Sequence, residues 1–334
     1  MPIRIAINGF GRIGRAAFKI AFGRKEYEIV AINDLVDPKT LAYLLSYDSV
    51  YGSYDRKVRA KKDSLIIDGH EIAVTAIREP EKLPWKKMKV DVVIESTGRF
   101  TKSSEAKAHL TAGAKRVIIS APTKDNTQTL VLGTKLTDQL LKKGDPIVSN
   151  ASCTTNCIAP VIQVLQSRFG IEKAMMTTVH AYTASQALVD APNKDLREGR
   201  AAAQNIIPTS TGAAKATALV IPELKDNFDG IAMRVPVMAG SISDITCVLK
   251  RKRVTVKQIN DEFKKAERFP LYKGILKTTT DPIVSTDIIG TSYSAIVDLS
   301  FTRVVGGNLV KVLAWYDNEW GYANRRVELV RESR

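Results

Sequence analysis

Ile3–Ile7 reads as a β-strand that runs straight into Asn8-Gly9-Phe10-Gly11-Arg12-Ile13-Gly14, a G-x-G-x-x-G turn. A helix follows, with Ile13, Ala16, Ala17, Ile20 and Ala21 on one face. A second strand, Glu28–Ile32, ends in Asn33-Asp34, which puts a carboxylate 20 positions after Gly14. A glycine triplet alone is common. Set between strand and helix, with an acidic residue at that distance, it is a fingerprint of dinucleotide binding. Gly9 permits the tight turn, Gly11 lets the backbone approach a pyrophosphate, and Gly14 lets the helix pack close to the strand. The helix N-terminus then holds the phosphate charge. Asp34 would accept hydrogen bonds from a ribose diol and repel a 2′-phosphate, so NAD is expected rather than NADP.

The β–α alternation continues. Val90–Glu95 and Arg116–Ser120 are short apolar runs of the buried parallel kind, with a helix expected between them at Ser103–Ala112. From Asp48 to Trp85 the chain mixes short strands and turns, and the basic stretch Arg56–Lys62 reads as a solvated loop or hairpin. With Pro146–Asn150 as last strand, residues 1–151 form an α/β unit, a doubly wound Rossmann domain. The second half has longer, more alternating strands: Lys173–Ala181, Gly230–Val237, Ser241–Lys250, Ser294–Val297 with Leu299–Phe301, and Leu309–Tyr316. Helices are expected at Thr211–Val220 and Val256–Glu267. Residues 152–317 therefore read as an α+β catalytic domain with a mostly antiparallel sheet and helices on one face. A terminal helix, 318–334, carries Tyr322, Val327 and Val330 at helical spacing and is expected to complete the first domain.

Three cysteines cannot all pair with one another, and Cys153 and Cys157 sit one helical turn apart, a poor disulfide geometry. Reduced thiols in the cytoplasm are the natural expectation. Cys157 and Cys247 read as buried small hydrophobes. No apolar run approaches a membrane span, and MPIRIAI reads as a strand rather than a signal peptide. The net charge of +15 fits anionic ligands steered toward a positive cleft. It would also support loose nucleic-acid binding. The most basic run, Lys250–Arg253, follows a strand and reads as a solvated turn or subunit contact; no zinc spacing or RNA-binding signature accompanies it, so specific nucleic-acid recognition is not expected.

Cys153 lies in SNASCTTNC, between the strand Ile147-Val148 and a helix marked by Ile158, Val161, Ile162 and Leu165. A thiol at a helix N-terminus faces backbone N–H groups and the positive end of the dipole, and both favour the thiolate. His180, in MMTTVHAYT, is one of only three histidines and could serve as a base. A Cys and a His apart in sequence are a candidate nucleophile pair; a buried structural Cys with a satisfied core His is the alternative. Cys153 falls at the expected domain border, where ligand clefts form at the carboxyl ends of strands.

Along nearly its whole length the chain resembles the phosphorylating, NAD-dependent glyceraldehyde-3-phosphate dehydrogenase family. The resemblance runs through INGFGRIGR, IND, YDSVYG, ESTGRF, ISAP, SNASCTTNC, TTVHAYT, NIIPTSTGAAKA, RVPV, PIVSTDIIGTSYSAIVD and WYDNEWGY. It implies a Cys153 thioester formed from glyceraldehyde 3-phosphate, with His180 keeping the thiol ionised and then taking the hydroxyl proton. Inorganic phosphate would release 1,3-bisphosphoglycerate. It assigns Thr183 and Arg234 to the substrate phosphate, and Ser152, Thr154, Thr211 and Gly212 to the attacking phosphate. Without it, Ser152 and Thr211 would read as helix caps and Arg234 as half of an ion pair. For NAD it assigns Gly9, Gly11, Arg12 and Ile13 to the pyrophosphate turn, Asp34 to the ribose, Arg78 near the adenine, Ser120 at a strand end and Asn318 on the carboxamide. Pro192 agrees with NAD use. A glycolytic homotetramer is implied, with the loop Ala184–Arg200 at a subunit interface.

Glu198, in DLREGR, departs from the pattern: many bacterial members carry an arginine of the attacking-phosphate pocket there, and a carboxylate would repel phosphate. The nearest rival family, erythrose-4-phosphate dehydrogenase, hydrolyses its thioester and lacks the residues matched by Thr183 and Thr211-Gly212, all present here.

Overall fold

The computed structural model describes residues 1–332, and its chain divides into two units. The first comprises residues 1–130, 140–151 and 323 onward; the second comprises 131–139 and 152–322.

The first unit starts with β1 (Ile3–Asn8), α1 (Arg12–Ala21), β2 (Tyr27–Asn33) and α2 (Pro38–Ser46). A two-residue pair, β3 (Tyr47–Asp48) and β4 (Gly52–Ser53), precedes the meander β5 (Val58–Ala60), β6 (Ser64–Ile67) and β7 (His70–Thr75). Then come β8 (Val92–Glu95), α3 (Ser103–Thr111), β9 (Arg116–Ile119), β10 (Gln128–Thr129) and β11 (Ile147–Ser149); α4 (Lys135–Leu141), between β10 and β11 in the chain, has most of its length in the second unit. The sheet order is β10-β11-β9-β8-β1-β2-β7-β6-β5, and every pairing from β10 to β7 is parallel. The expected doubly wound sheet is present. Strand order reverses at β1, flanked by β2 and β8, which is where the carboxyl ends of the strands open a crevice. β1 reads B-i-B-B-B-B in burial because helices cover both faces of a parallel sheet. Trp85, Val90, Val93, Val117 and Ile119 fill one of its cores.

The second unit holds α5 (Cys153–Phe169), β12 (Ile171–Ala181), β13 (Ile207–Ser210), α6 (Ala213–Val220), β14 (Phe228–Val235), β15 (Ser241–Leu249), α7 (Val256–Arg268), β16 (Leu276–Thr279), β17 (Ala295–Val305) and β18 (Leu309–Tyr316). Its sheet runs β13-β14-β12-β15-β18-β17-β16. Four pairings are antiparallel; β12 with β14 and β16 with β17 are parallel. The mostly antiparallel sheet expected from the sequence is therefore present. Along β12, Ala174 and Met176 are buried while Met175 is 67% exposed, so one face is packed and the other open.

Several boundaries differ from the sequence reading, each for a physical reason. β13 and β16 were not expected: both are four-residue edge strands, and β13 carries Pro208, which only an edge tolerates. β14 stops at Val235 because Pro236 has no N–H to donate. β17 is one element, not two, because the buried Asp298 sits at a register irregularity and accepts from Ser300 N and Trp315 Nε1.

A last helix, α8 (Trp320–Glu332), has most of its length in the first unit, where Tyr27 Oη donates to Val327 O at 2.9 Å. Among the described residues no helix is long and apolar enough to cross a membrane.

Candidate active site

Cys153 is the first residue of α5, and Ser152 is its N-cap, accepting the Thr155 N–H on its Oγ at 3.0 Å. The preceding Ala151 has φ +52°, a left-handed conformation strained for any side chain, so the chain turns abruptly into the helix. His180 stands near the end of β12, and its Nε2 lies 3.4 Å from Cys153 Sγ. The thiol is half-buried and the imidazole only 5% exposed. Burial first, and the Arg234 cation second, push His180 down to about 4, so the ring is neutral at pH 7.

β12 and β14 are parallel neighbours, and His180 pairs in register with Arg234. Arg234 Nη1 lies 2.6 Å from His180 Nδ1 and donates to Ala181 O at 3.2 Å. Behind the ring sits Tyr316, edge-on to His180 with centroids 6.0 Å apart. Its hydroxyl meets Thr154 Oγ1 at 2.9 Å and Thr178 Oγ1 at 2.7 Å, and burial pushes the phenol above its ordinary range. Sequence reasoning missed Tyr316; no local pattern marks a residue 162 positions from the threonine it holds. Cys157 and Cys247 are buried thiols, and burial alone lifts Cys247 to about 12.

The hydroxyls expected at anion pockets divide. Ser152 Oγ caps α5, and the Thr154 hydroxyl turns inward to Tyr316. Thr211 Oγ1 accepts from Ala213 N at 3.2 Å, while Gly212, not Thr211, is the cap residue of α6. Thr183 Oγ1 meets Ser185 Oγ at 3.0 Å. Glu198 accepts from Thr209 Oγ1 at 3.1 Å and from Ser185 Oγ at 3.5 Å, so its carboxylate is held by hydroxyls.

Asn318 is buried, and its Oδ1 accepts from Gly240 N at 3.1 Å and Ser241 Oγ at 3.0 Å. The Ser241 hydroxyl in turn accepts the Ala181 N–H at 3.1 Å. With Oδ1 committed, Asn318 offers its amide N–H₂ outward.

In the first unit, a cavity of about 490 Å³ is lined by Gly9, Gly11, Asp34, Arg78, Thr97 and Phe100, among others. Gly9 has φ +89°, and a β-carbon there would sit 2.6 Å from Thr97 N. At Gly11 nothing lies within 4 Å of where a β-carbon would be, and φ is −69°, so the protein itself does not require glycine. Gly11 borders the cavity. No side chain caps α1, which leaves its N-terminus open to a phosphate. Asp34 spends two acceptor sites on Phe10 N and Val36 N and retains others. These features fit a dinucleotide. Arg12 and Ile13 open α1, but the Arg12 guanidinium goes to Asp48 at 3.1 Å rather than lining the cavity; Ser120 and Asn318 do not line it either.

A buried network under this cavity was also missed by sequence reasoning. Glu95 accepts from Thr97 N at 2.8 Å, Asn8 Nδ2 at 2.5 Å and His109 Nε2 at 3.0 Å. Trp85 Nε1 donates to His109 Nδ1 at 3.0 Å, which fixes the proton on Nε2.

Residues 3–103 match the family described as glyceraldehyde 3-phosphate dehydrogenase, NAD binding domain, and residues 152–318 match its C-terminal domain. Relatives named glyceraldehyde-3-phosphate dehydrogenase align over nearly the full chain. The one from Borreliella burgdorferi is 54% identical over 99% of both chains. That from Geobacillus stearothermophilus is 51% identical, over 98% of this chain and 97% of its own. The chain belongs to the glyceraldehyde-3-phosphate dehydrogenase family. Within that family its first unit corresponds to the NAD-binding half, which agrees with the glycine turn and Asp34. Cys153 and His180 fall within the match to the family's C-terminal half.

Proposed function

We propose that this chain catalyses oxidative phosphorylation of glyceraldehyde 3-phosphate to 1,3-bisphosphoglycerate, with NAD and inorganic phosphate, in glycolysis and gluconeogenesis. The observation that carries this reading is the 3.4 Å approach of Cys153 Sγ to His180 Nε2 at the N-terminus of α5. NAD, when bound, supplies the hydride acceptor. The Cys153 sulfur attacks the aldehyde carbon and forms a thiohemiacetal. The Cys153 N–H and His180 steady the oxyanion as the tetrahedral carbon forms. His180 then takes the hydroxyl proton, and the acyl group remains on sulfur as a thioester. The thioester retains the oxidation energy for phosphate to capture as an acyl phosphate.

The binding roles proposed are those that the family resemblance assigns. Gly9, Gly11, Arg12 and Ile13 hold the pyrophosphate, Asp34 the ribose, Arg78 the adenine end, Ser120 the adjoining strand end and Asn318 the carboxamide. Thr183 and Arg234 hold the substrate phosphate; Ser152, Thr154, Thr211 and Gly212 serve the attacking phosphate. The domain bearing NAD is residues 1–151 with the terminal helix, and residues 152–317 carry out the chemistry. We place the enzyme in the cytoplasm as a homotetramer. Support comes from apolar side chains left exposed, including Met175 and Ile231 on the open sheet face and Leu188 and Leu196 in the loop after His180. Sedimentation as a monomer at micromolar concentration would exclude the tetramer. The excess positive charge serves anionic substrates, and any nucleic-acid binding should vanish steeply with salt and show no sequence preference.

The test is NADH formation from glyceraldehyde 3-phosphate. It should require added phosphate or arsenate and prefer NAD to NADP. Sustained turnover with neither oxyanion would point instead to a hydrolysing enzyme of the erythrose-4-phosphate type.

A further inference from the structure

Thr75, Asn33, Asn8 and Glu95 close the neighbouring strands β7, β2, β1 and β8, and their side chains form a row beneath the first unit's cavity. Thr75 Oγ1 donates to Asn33 Oδ1 at 2.8 Å, and Asn33 Nδ2 donates to Asn8 Oδ1 at 2.7 Å. Asn8 Nδ2 then donates to Glu95 Oε2. The direction of the row is fixed. Ile77 gives its N–H to Asn33 Oδ1 and takes Asn33 Nδ2 on its carbonyl, so that amide cannot turn over. Asn33 in turn fixes Asn8, which has only N–H to offer Glu95.

The buried Glu95 carboxylate draws donors from two walls of the cavity. One wall is the glycine turn, reached through Asn8. The other begins at Thr97, whose N–H and hydroxyl both donate to Oε1. The walls touch: Ser96 Oγ donates to Gly9 O at 2.8 Å, and Thr97 N is the atom that a β-carbon at Gly9 would strike. Beyond Thr97, its Oγ1 accepts the Arg99 N–H at 3.1 Å, and the Phe100 ring stands edge-on to His109 with centroids 6.3 Å apart. His109 Nε2 donates to Glu95, while Trp85 Nε1 holds Nδ1 from behind. The segment Thr97–Phe100 is thus held at its start by Glu95 and at its end by His109. Thr97, Arg99 and Phe100 line the cavity; Glu95 and His109 do not.

We propose that Glu95 and His109 are a positioning pair for the dinucleotide: without touching it, they hold the wall Thr97–Phe100 against the glycine turn and so set the affinity for the ADP-ribose half of NAD. This rests on the reading of the cavity as the NAD site. The half follows from the lining, since the wall shares the cavity with Asp34 and Arg78, the residues assigned to the ribose and the adenine end. A carboxylate is needed, not merely a polar group. Burying it is costly, and that cost is offset only because Thr97, Asn8 and His109 all donate to it. Glutamine has one acceptor oxygen. Its N–H₂ would face either the Thr97 N–H or the N–H groups of Asn8 and His109, and neither side chain of that second pair can reverse. Glu95→Gln therefore loosens one wall or the other.

The experiment titrates Glu95→Gln with NAD and with ADP-ribose by calorimetry, with no aldehyde present. Both dissociation constants should rise at least about tenfold and by the same factor, the effect of one misplaced buried hydrogen bond. Steady-state kinetics should place the loss in the KM for NAD, with kcat at saturating NAD within about twofold of wild type. His109→Gln, which retains an N–H for Glu95, should lose less NAD affinity than His109→Leu, which has none. Unchanged affinities in Glu95→Gln would overturn the proposal. So would a kcat that falls as far as the affinity, the mark of a general loss of structure. Should Glu95→Gln fail to fold, equal NAD affinities in the two His109 variants would overturn it instead. Wild type separates the two readings: if it binds neither NAD nor ADP-ribose, the reading of the cavity fails first, whereas tight binding that no variant weakens removes the positioning role alone.

Discussion

Ser241 Oγ lies 3.0 Å from Asn318 Oδ1. The same hydroxyl accepts the N–H of Ala181, the residue after His180, so one side chain ties the amide proposed to hold the nicotinamide to the strand bearing the base. Ser241→Ala removes this link with almost no change in volume. One lost positioning hydrogen bond should lower kcat about tenfold. NAD affinity should change little, because Asn318 keeps Gly240 N and the dinucleotide's other contacts are untouched. Steady-state kinetics with an equilibrium NAD titration checks this; equal losses in both would show a broken fold rather than a misplaced ring.

Asp34 faces the cavity with a carboxylate that also clamps Phe10 N at 2.7 Å. Asp34→Asn keeps one oxygen to accept the Phe10 N–H, gives up the second acceptor that Val36 N uses, and removes the charge that excludes a 2′-phosphate. The ratio of kcat/KM for NADP to that for NAD should rise about tenfold, equivalent to ~1.4 kcal/mol. An unchanged ratio would mean that specificity is set elsewhere.

Acid stability carries the signature of His180. Its folded value of about 4 lies below the ordinary histidine value, chiefly because the ring is buried. The unfolded chain therefore takes up this proton first as pH falls below about 6.5, and the native state loses stability until pH reaches the folded value. Between pH 7 and 4.5 this amounts to about 2 kcal/mol. Urea midpoints should fall more steeply over that range for wild type than for His180→Asn, since the variant lacks the titration. Parallel slopes would contradict a buried neutral ring.

How much of this was legible beforehand follows from the range of each interaction. The β1–α1–β2 turn is local: glycines, strand and carboxylate fall within a few dozen residues, and each announces itself by spacing. Cys153 at a helix N-terminus is equally local. Partner choice is not. Arg234 reaches His180 through the register of β12 and β14, 54 positions apart, and Tyr316 reaches Thr154 across 162. Alternation says which face a residue takes but not which neighbour it meets. The edge strands β13 and β16 escaped because four residues with a proline or threonines carry too little apolar pattern. The Glu95–His109 contact escaped because a helix residue pairing with a strand-end carboxylate has no spacing rule.

Glu198 marks the family departure most open to test. Its carboxylate is held by Thr209 and Ser185 rather than by a cation. Glu198→Gln retains an acceptor for Thr209 and removes the charge. The KM for inorganic phosphate should fall about threefold, a modest change because the half-buried carboxylate is screened by solvent. A KM that rises instead would assign the carboxylate a supporting part in that pocket.

The most direct test is the fate of the Cys153 sulfur. The protein, mixed with NAD and glyceraldehyde 3-phosphate without phosphate and quenched in acid, is digested for mass spectrometry. A phosphoglyceroyl group should be found on the Cys153 peptide, in amounts equal to the NADH formed, and Cys153→Ser should yield neither. A full burst of NADH with an unmodified Cys153 would contradict the account.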